Sequence, residues 1–305
     1  MNNQFARAAT MKRRSVDVMQ ASLIPIKSID WIWHGWLSAG KFHILAGAAG
    51  TGKTNLAMWM ASIVSVGSHG GKSWPENIYA PKGGVLIWSG EDGIEDTIIP
   101  RLIASGADLN NVHIIRGAIE HGYRRPFDFK SDLDELSAEM MKIGPVSLVI
   151  IDSIVQAVAG DSNKNSEVRH ALDPLIALAE QHNCAILGIT HLTKNSSKKD
   201  PLDRVAGSMA FGAVARIVMI TAKIKGNSST ENLSDSCVLV RAKSNISRDV
   251  GGYEYTVEPV EFQDFNKYIS TSRINLNETL LTGSAQEILK FAETDNEGGK
   301  VSRVD

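Results

Sequence analysis

The chain has 305 residues, of which 43% are hydrophobic and 22% are charged, and its formal net charge is −2. This balance is typical of a globular protein, and it excludes an overall basic surface that would attract nucleic acid or anionic membranes without local patches. Two cysteines cannot form a disulfide framework, and neither a membrane-spanning apolar run nor a secretory signal is recognisable, so we expect a cytoplasmic protein that does not associate with membranes.

The beginning of the chain is polar and basic over residues 1–22, and we expect it to form a flexible arm. Trp31, Trp33 and Trp36 follow within six residues of one another. Tryptophan side chains need a large surface on which to pack. We interpret this cluster as a lid over the core. The alternatives are that it forms the edge of a binding pocket or a contact between subunits.

From residue 42 onward, apolar strand-like runs alternate with segments of helical spacing. Strands are predicted at residues 42–46, 85–89, 113–117, 146–153, 184–192 and 216–221. Helices are predicted at residues 54–66, 96–105, 133–143, 167–182, 203–215 and 285–293. Residues 236–244 and 253–260 are typical of a closing antiparallel pair. The alternation predicts an α/β fold with a mostly parallel twisted sheet flanked by helices and an antiparallel edge near the C-terminus.

The first predicted strand runs directly into a glycine-rich turn that opens a helix. The turn fits the pattern G-x-x-x-x-G-K-[ST], whose backbone N–H groups and helix N-terminus hold the phosphates of a nucleotide. The predicted nucleotide-binding residues are Gly47, Ala48, Ala49, Gly50, Thr51, Gly52, Lys53, Thr54 and Asn55. Lys53 is placed to reach the β- and γ-phosphates. The sequence therefore predicts an ATP site.

A magnesium site should accompany these phosphates. Thr54 supplies a hydroxyl oxygen that can ligate Mg²⁺. Asp152 ends the apolar run LVIID, which we expect beside the phosphate-binding strand, and it would supply the acid of the metal site. Ser153 occupies the next position, where a water-activating acid could otherwise stand.

Two acidic residues are therefore candidates for the group that activates water. Glu91 ends the strand that follows the phosphate-binding helix, and its carboxylate could accept a proton from an attacking water. Asp92 is the weaker candidate beside it. His191 ends another apolar strand, and we interpret it as a sensor of the γ-phosphate rather than as a structural histidine.

These features together resemble the RecA/DnaB superfamily of P-loop ATPases, and most closely the RepA-type hexameric replicative helicases of plasmids and phages. The resemblance covers most of the chain, from about residue 28 to residue 250. It rests on the segments WIWHGWLSAGKFHILAGAAGTGKT, GGVLIWSGEDGIEDTIIPRL, LVIIDS, GITHLTK and GSMAFGAVARIVMI. It implies a RecA-like ATPase core with Glu91 as the catalytic base, Asp152 as the magnesium acid and His191 as the γ-phosphate sensor.

The resemblance also implies basic residues that act on the ATP of a neighbouring subunit. Arg216 matches an arginine finger, and the alternative is a surface arginine at the start of a strand. Lys243 is similar to a second basic residue that acts across that interface. The alternatives are that Lys243 is a structural residue, or that Arg241 is the finger instead. Such an arginine is worth roughly 10³–10⁵ in rate in the related GTPases.

Single-stranded DNA is the partner that the resemblance implies, in the channel of a homo-oligomeric, hexameric ring. In the superfamily the loops after the Asp152 and His191 strands line that channel. The predicted DNA-binding residues are Lys194, Lys198, Lys199 and Arg204. Neither loop contains an aromatic residue for base stacking, and a solvated loop without DNA contacts is the alternative.

The sequence therefore predicts an ATP-hydrolysing ring that acts on single-stranded DNA, as a replicative helicase of a plasmid, phage or prophage. The alternative is a recombination mediator or a regulatory RecA-like ATPase that uses ATP as an assembly switch. A replication initiator or a primase could be a further partner. The ATPase domain is expected at residues 23–270, with a C-terminal tail at 271–305 that resembles the first helix of a truncated helical or winged-helix region.

Overall fold

The structure is a computed structural model that describes residues 16–158, 165–193, 196, 199–206, 209–225 and 236–294. In chain order the strands are β1 (Trp31–Trp33), β2 (Leu37–Ser38), β3 (Phe42–Gly47), β4 (Gly84–Ser89), β5 (Val112–Ile114), β6 (Ala118–Glu120), β7 (Tyr123–Arg125), β8 (Val146–Asp152), β9 (Ala185–His191), β10 (Ile217–Lys223), β11 (Ser236–Ser244), β12 (Val250–Asp264), β13 (Lys267–Leu276) and β14 (Leu281–Ser284). The α-helices are α1 (Lys53–Val66), α2 (Ile99–Ala104), α3 (Leu133–Ile143), α4 (Asn165–His182), α5 (Met209–Val214) and α6 (Ala285–Glu293).

A ten-stranded sheet in the described chain organises the fold. Its strand order is β13-β12-β11-β10-β3-β9-β8-β4-β5, and β14 pairs with β12. The strands from β10 to β5 are parallel, whereas β11, β12, β13 and β14 pair antiparallel. This arrangement confirms the predicted α/β class and its antiparallel edge. Because the carboxyl ends of the parallel strands meet at one edge, the loops that follow them share one surface.

The apolar character of the central strands has a direct structural cause. Both faces of the sheet are covered, so successive side chains of β8 enter opposite cores. Val149 and Ile151 pack with α3, α4 and α6 on one face. Leu148 and Ile150 pack with α1 and α2 on the other face. A strand buried on both faces must be largely apolar, as residues 148–151 of β8 are.

The tryptophan cluster is part of the core on the face of the sheet that α1 and α2 cover. Trp33 is stacked between Trp36 and Trp74, at ring-centroid distances of 4.8 and 4.7 Å. All three rings are buried, and Tyr253 of β12 packs against them. None of these tryptophans lines the cleft at the phosphate-binding loop. The interpretation of the cluster as a core lid therefore agrees with the structure.

Two predicted helices differ from the observed elements. The helix expected at 96–105 begins as a π-helical turn at Ile94–Ile98, and only Ile99–Ala104 is α-helical. Pro100 stands in the first turn of this α-helix, where its missing N–H does no harm. The helix expected at 203–215 is a 3₁₀ turn at Leu202–Arg204 followed by the short helix Met209–Val214.

The domain boundary expected between residues 270 and 271 is wrong, because it falls inside β13. This strand pairs with β12 over ten successive positions, from Tyr255↔Leu276 to Asp264↔Lys267. The helix expected at 285–293 is present, but it is not a separate tail, since it packs into the core through Ile288, Leu289 and Ala292. Of the predicted N-terminal arm, residues 1–15 lie outside the described part, and residues 16–22 are exposed.

Candidate active site

The phosphate-binding loop connects β3 to α1 at the shared edge of the sheet. Gly50 and Gly52 adopt left-handed conformations, with φ of 74° and 75°, which glycine accepts without a steric penalty. A Cβ on Gly47 would stand 2.0 Å from the hydroxyl oxygen of Thr221, so this position also requires glycine. The Thr51 side chain is buried beneath the loop, where its hydroxyl donates to the Ala48 carbonyl at 2.9 Å. The loop is therefore curled with its backbone, not its side chains, toward the cleft.

The two antiparallel strands β12 and β13 support this loop from the side. The Tyr255 hydroxyl donates a 2.6 Å hydrogen bond to the carbonyl of Thr51. Asn55, in the first turn of α1, donates to the Ser272 hydroxyl at 3.0 Å. Sequence analysis did not identify Tyr255 or Ser272 as part of the site, because nothing in their local sequence marks a contact with a loop some 200 residues earlier.

A cleft of about 370 Å³ lies over the loop. Among the predicted site residues, those lining it are Ala49, Gly50, Gly52, Lys53, Thr54, Asn55, Glu91, Asp152 and His191. The structure thus brings the phosphate-binding, metal-binding and water-activating candidates into one cavity. Asp92, Arg101 and Val257 also line the cleft. The sequence predicted Asp92 as the weaker candidate base and did not predict Arg101 or Val257 as site residues.

The magnesium ligands predicted from the sequence lie side by side. The Thr54 hydroxyl donates to Oδ2 of Asp152 at 2.6 Å, although 98 residues separate them. Burial raises the pKa of Asp152, and the hydrogen bond from Thr54 opposes that rise. Two hard oxygen donors fit Mg²⁺, which usually takes one or two protein oxygens and completes its shell with phosphates and water. The donor set therefore suits a nucleotide-bound magnesium ion.

Lys53 holds its ammonium over the loop. Its Nζ donates to the Ala48 carbonyl at 3.0 Å and lies 3.4 Å from Nδ1 of His191. Burial lowers the pKa of Lys53, while the carboxylates of Asp152 and Glu91 oppose that shift. A bound polyphosphate would oppose it further, because an anion favours the charged form of the lysine.

His191 lies between the loop and the acidic residues, because β9 is inserted between β3 and β8. The expectation that the Asp152 strand lies beside the phosphate-binding strand is therefore wrong: the His191 strand takes that place. The Nε2 atom of His191 is 3.9 Å from Oε2 of Glu91. The imidazole thus contacts both Lys53 and Glu91. From this position, a contact between His191 and a γ-phosphate could be coupled to the residues on the opposite side of the cleft.

The two acidic candidates for water activation differ in their surroundings. Asp92 forms a 2.6 Å ion pair with Arg101, so its carboxylate is already neutralised. Glu91 is 41% exposed at its side chain, and within the described part of the chain it receives a long hydrogen bond of 3.4 Å from Gln156 and lies 3.9 Å from His191. A general base needs an accessible lone pair near the attacking water. The geometry therefore favours Glu91 over Asp92.

The basic residues that were predicted to act across a subunit interface, Arg216 and Lys243, do not line the cleft of their own chain. Arg216 is exposed at the start of β10, where its N–H donates to the carbonyl of Phe42 at the opposite edge of the sheet. Lys243 donates to the carbonyls of Gly212, Ala213 and Ala215, at 2.7, 3.0 and 3.0 Å. Lys243 therefore closes the C-terminal end of α5, and the expectation that it is a free catalytic cation is wrong for this conformation.

Arg241, the alternative to Lys243, is also engaged within the protein. Its guanidinium is buried 4.5 Å above the ring centroid of Trp36. It donates to the carbonyls of Gly35 and Val250. A cation stacked and hydrogen-bonded in this way is not available to a neighbouring subunit, so Arg241 is a structural residue.

The predicted DNA-binding residues have different positions. Lys194 and Lys198 lie outside the described residues, and Lys199 is exposed. Arg204 is buried, with a 5% exposed side chain, and pairs with Glu293 of α6. The expectation that Arg204 contacts DNA is therefore wrong, because its guanidinium joins the second loop to the C-terminal helix.

The fold and the cleft define a P-loop nucleotide-binding protein. A family model described as an AAA domain (AAA_25) matches residues 7–197, and the chain belongs to this family. This membership supports ATP binding and ATPase activity in general. No curated protein sequence matches the chain significantly. Among the described residues, no helix has the length and apolar character needed to cross a membrane.

Proposed function

We propose that the protein is a ring-forming ATPase motor that moves on single-stranded DNA, of the kind that serves as a replicative helicase of a plasmid, phage or prophage. The proposal rests on the AAA family membership, the composition of the cleft and the resemblance to RepA-type helicases described above. The observation that carries it is the position of Arg216 relative to the cleft.

Hydrolysis of ATP needs positive charge to stabilise the phosphoryl group as it is transferred. The cleft provides Lys53, whereas its arginine, Arg101, is paired with Asp92. Arg216 is exposed, and among the described residues it forms no ion pair. It stands at Phe42, five residues before the end of β3 at Gly47, which places it about 16 Å from its own phosphate loop. An arginine side chain at that distance does not reach its own cleft, and in this proposal it serves the cleft of a neighbouring copy.

Within one cleft, the residues have separable roles in this proposal. The backbone of the loop and Lys53 bind and orient the phosphates. Thr54 and Asp152 would hold Mg²⁺, which neutralises phosphate charge. Glu91 takes a proton from the attacking water at its carboxylate. His191 contacts both Lys53 and Glu91, so loss of the γ-phosphate would change its contacts and be transmitted to the loop after β9.

The test is a mixing experiment with two inactive variants. Glu91→Gln lacks the base but keeps Arg216, and Arg216→Ala has the opposite defect. If the arginine acts across an interface, each variant alone is inactive, and a 1:1 mixture regains activity at about a quarter of the interfaces. Arg248→Ala removes another exposed arginine near the same edge and serves as the control. A mixture that stays as inactive as its components would overturn the shared site.

Two further measurements separate a motor from an ATP-dependent switch. Single-stranded DNA should raise the ATPase rate, and the rate should depend steeply on protein concentration. ATP should drive unwinding of a forked duplex by wild type but not by Glu91→Gln. ATP-dependent assembly without DNA stimulation or unwinding would instead favour the regulatory ATPase.

A further inference from the structure

A small β-hairpin, formed by β6 and β7, follows the edge strand β5. Its turn is His121–Gly122, with φ of 50° and 83°, the positive values that tight two-residue hairpin turns require. The strands pair in register from Ala118↔Arg125 to Glu120↔Tyr123. Because β5 is parallel to β4, the hairpin leaves the sheet at the same edge as the cleft. Four strand spacings separate β5 from β3, which places the hairpin about 19 Å along that edge.

The hairpin is fixed to the protein at its base. Two guanidinium nitrogens of Arg125 donate to the two carboxylate oxygens of Asp132, each at 2.7 Å. Arg125 also bonds Glu120 on the facing strand at 2.5 Å. The Asp132 side chain is only 3% exposed, and Arg125 holds the pKa of that carboxyl well below its usual range. A bidentate pair of this kind restrains the hairpin in one orientation.

The outer part of the hairpin consists of exposed residues that no internal contact explains. Tyr123 is 81% exposed and Ile119 is 69% exposed. Arg116 and Arg124 are also exposed, and neither forms an ion pair within the described part of the chain. Glu120 is the acidic residue of the hairpin, and Arg125 neutralises it. Because side chains alternate along a strand, Tyr123 lies on one face of the hairpin and Arg124 on the other, while Arg116 lies just before the first strand. The hairpin therefore exposes an aromatic ring and a cation on opposite faces of its outer part, with a second cation at its base.

The segment that follows the hairpin packs near the start of the loop after β8. Phe129, just after the hairpin, and Ala157, in the loop after Asp152, line one pocket together with His170 of α4. This loop was expected to face a channel, and it contains no aromatic residue. Tyr123 of the hairpin supplies an exposed aromatic side chain at the same edge of the sheet.

We propose that the β6–β7 hairpin is a binding site for single-stranded DNA, in which Tyr123 stacks on a base while Arg116 and Arg124 contact phosphates. Proteins hold single strands without regard to sequence by combining aromatic rings that stack on bases with cations that contact the backbone, and a strand that crosses the outer part of the hairpin would meet Tyr123 on one face and Arg124 on the other. The inference rests on the proposed function above and assigns part of the strand contact to a surface outside the two channel loops.

The experiment measures binding of wild type and variants to a fluorescent oligothymidylate, with a non-hydrolysable ATP analogue, across salt concentrations. Tyr123→Ala should weaken binding by roughly fivefold or more, whereas Tyr123→Phe should retain wild-type affinity. Arg116→Ala and Arg124→Ala should each reduce the slope of log affinity against log salt by about 0.7. A merely structural role of these residues would not produce this change of slope.

The controls are Tyr79→Ala and Lys142→Ala. Both residues are exposed, and both precede a strand of the parallel sheet, so they lie at the opposite edge. Neither variant should change affinity or salt slope. Unchanged binding by the Tyr123, Arg116 and Arg124 variants, with wild type binding normally, would overturn the hairpin site and leave the motor intact. Failure of wild type itself to bind would instead overturn the DNA motor together with this site.

Discussion

The substitution Tyr255→Phe deletes a single oxygen atom and thereby removes the hydrogen bond from Tyr255 to the phosphate-binding loop. Tyr255 is 2% exposed, and burial raises its pKa, so the hydroxyl stays protonated and donates to the Thr51 carbonyl. In the variant that carbonyl loses its partner in a place that water does not reach. An unsatisfied buried acceptor costs about 1–3 kcal/mol. We expect the free energy of unfolding to fall by this amount, measured from the urea midpoint at unchanged slope.

The variant should also bind ATP more weakly. Without nucleotide the loop can relax to find another partner for its carbonyl, and binding must then restore the curled conformation. If only 1 kcal/mol of the cost is recovered by relaxation, affinity falls by about fivefold. A fluorescent ATP analogue, titrated with and without Mg²⁺, measures this change.

Tyr253→Phe is the matched control, two residues earlier on β12. Its hydroxyl donates to Glu76 at 2.8 Å, in the tryptophan core and away from the cleft. It should lower the stability of the fold without weakening ATP binding. Equal loss of affinity in both variants would show that general destabilisation is responsible, and an unchanged stability of Tyr255→Phe would refute the reasoning from the buried carbonyl.

Four other outcomes are expected. Glu91→Gln should abolish turnover yet bind ATP with near wild-type affinity in equilibrium titration, because in the proposed mechanism the carboxylate acts on water and not on the phosphates. Asp152→Asn should raise the magnesium concentration needed for half-maximal ATPase rate, because a charged ligand is lost. Burial lowers the pKa of His43 from 6.5 to about 4, so between these pH values the folded state binds fewer protons than the unfolded state. The free energy of unfolding should therefore fall by about 3 kcal/mol as the pH falls from 6.5 to 4. His43→Gln should remove this pH-dependent component from urea unfolding curves. Arg125→Ala should lower the free energy of unfolding in the same assay at pH 7, because the carboxylate of Asp132 loses its bidentate partner, and an unchanged free energy of unfolding would contradict that explanation.

The sequence predicted the parts of the site that follow from local patterns. The loop from Gly47 to Thr54 is specified by a motif whose glycines have a conformational reason. Asp152 and His191 each end an apolar run and Glu91 follows one by two residues, and parallel strands bring such positions to one edge. The sequence therefore predicted that these residues lie in one cleft, although it wrongly placed the Asp152 strand beside the phosphate-binding strand.

The contacts that the sequence did not predict depend on pairing between distant segments. A lysine in RAKSN or an arginine in DPLDR is equally compatible with a free cation and with an internal contact. Lys243 became a helix-closing residue because β11 pairs next to β10 and brings it to the end of α5. Arg204 became buried because α6 returns to the core with Glu293. Neither outcome is encoded within a few residues of the charge itself.

The support that β12 gives to the phosphate-binding loop has a consequence for how the protein matures during synthesis. Tyr255 follows Thr51 by 204 positions, so the loop is translated long before its supporting hydroxyl exists. At 5–20 residues per second, this delay is about 10–40 s. A nascent chain would therefore carry the complete nucleotide motif while lacking the hydrogen bond that shapes it. Tight ATP binding would begin only after the antiparallel edge has joined the sheet, so that half-made chains would hold nucleotide weakly.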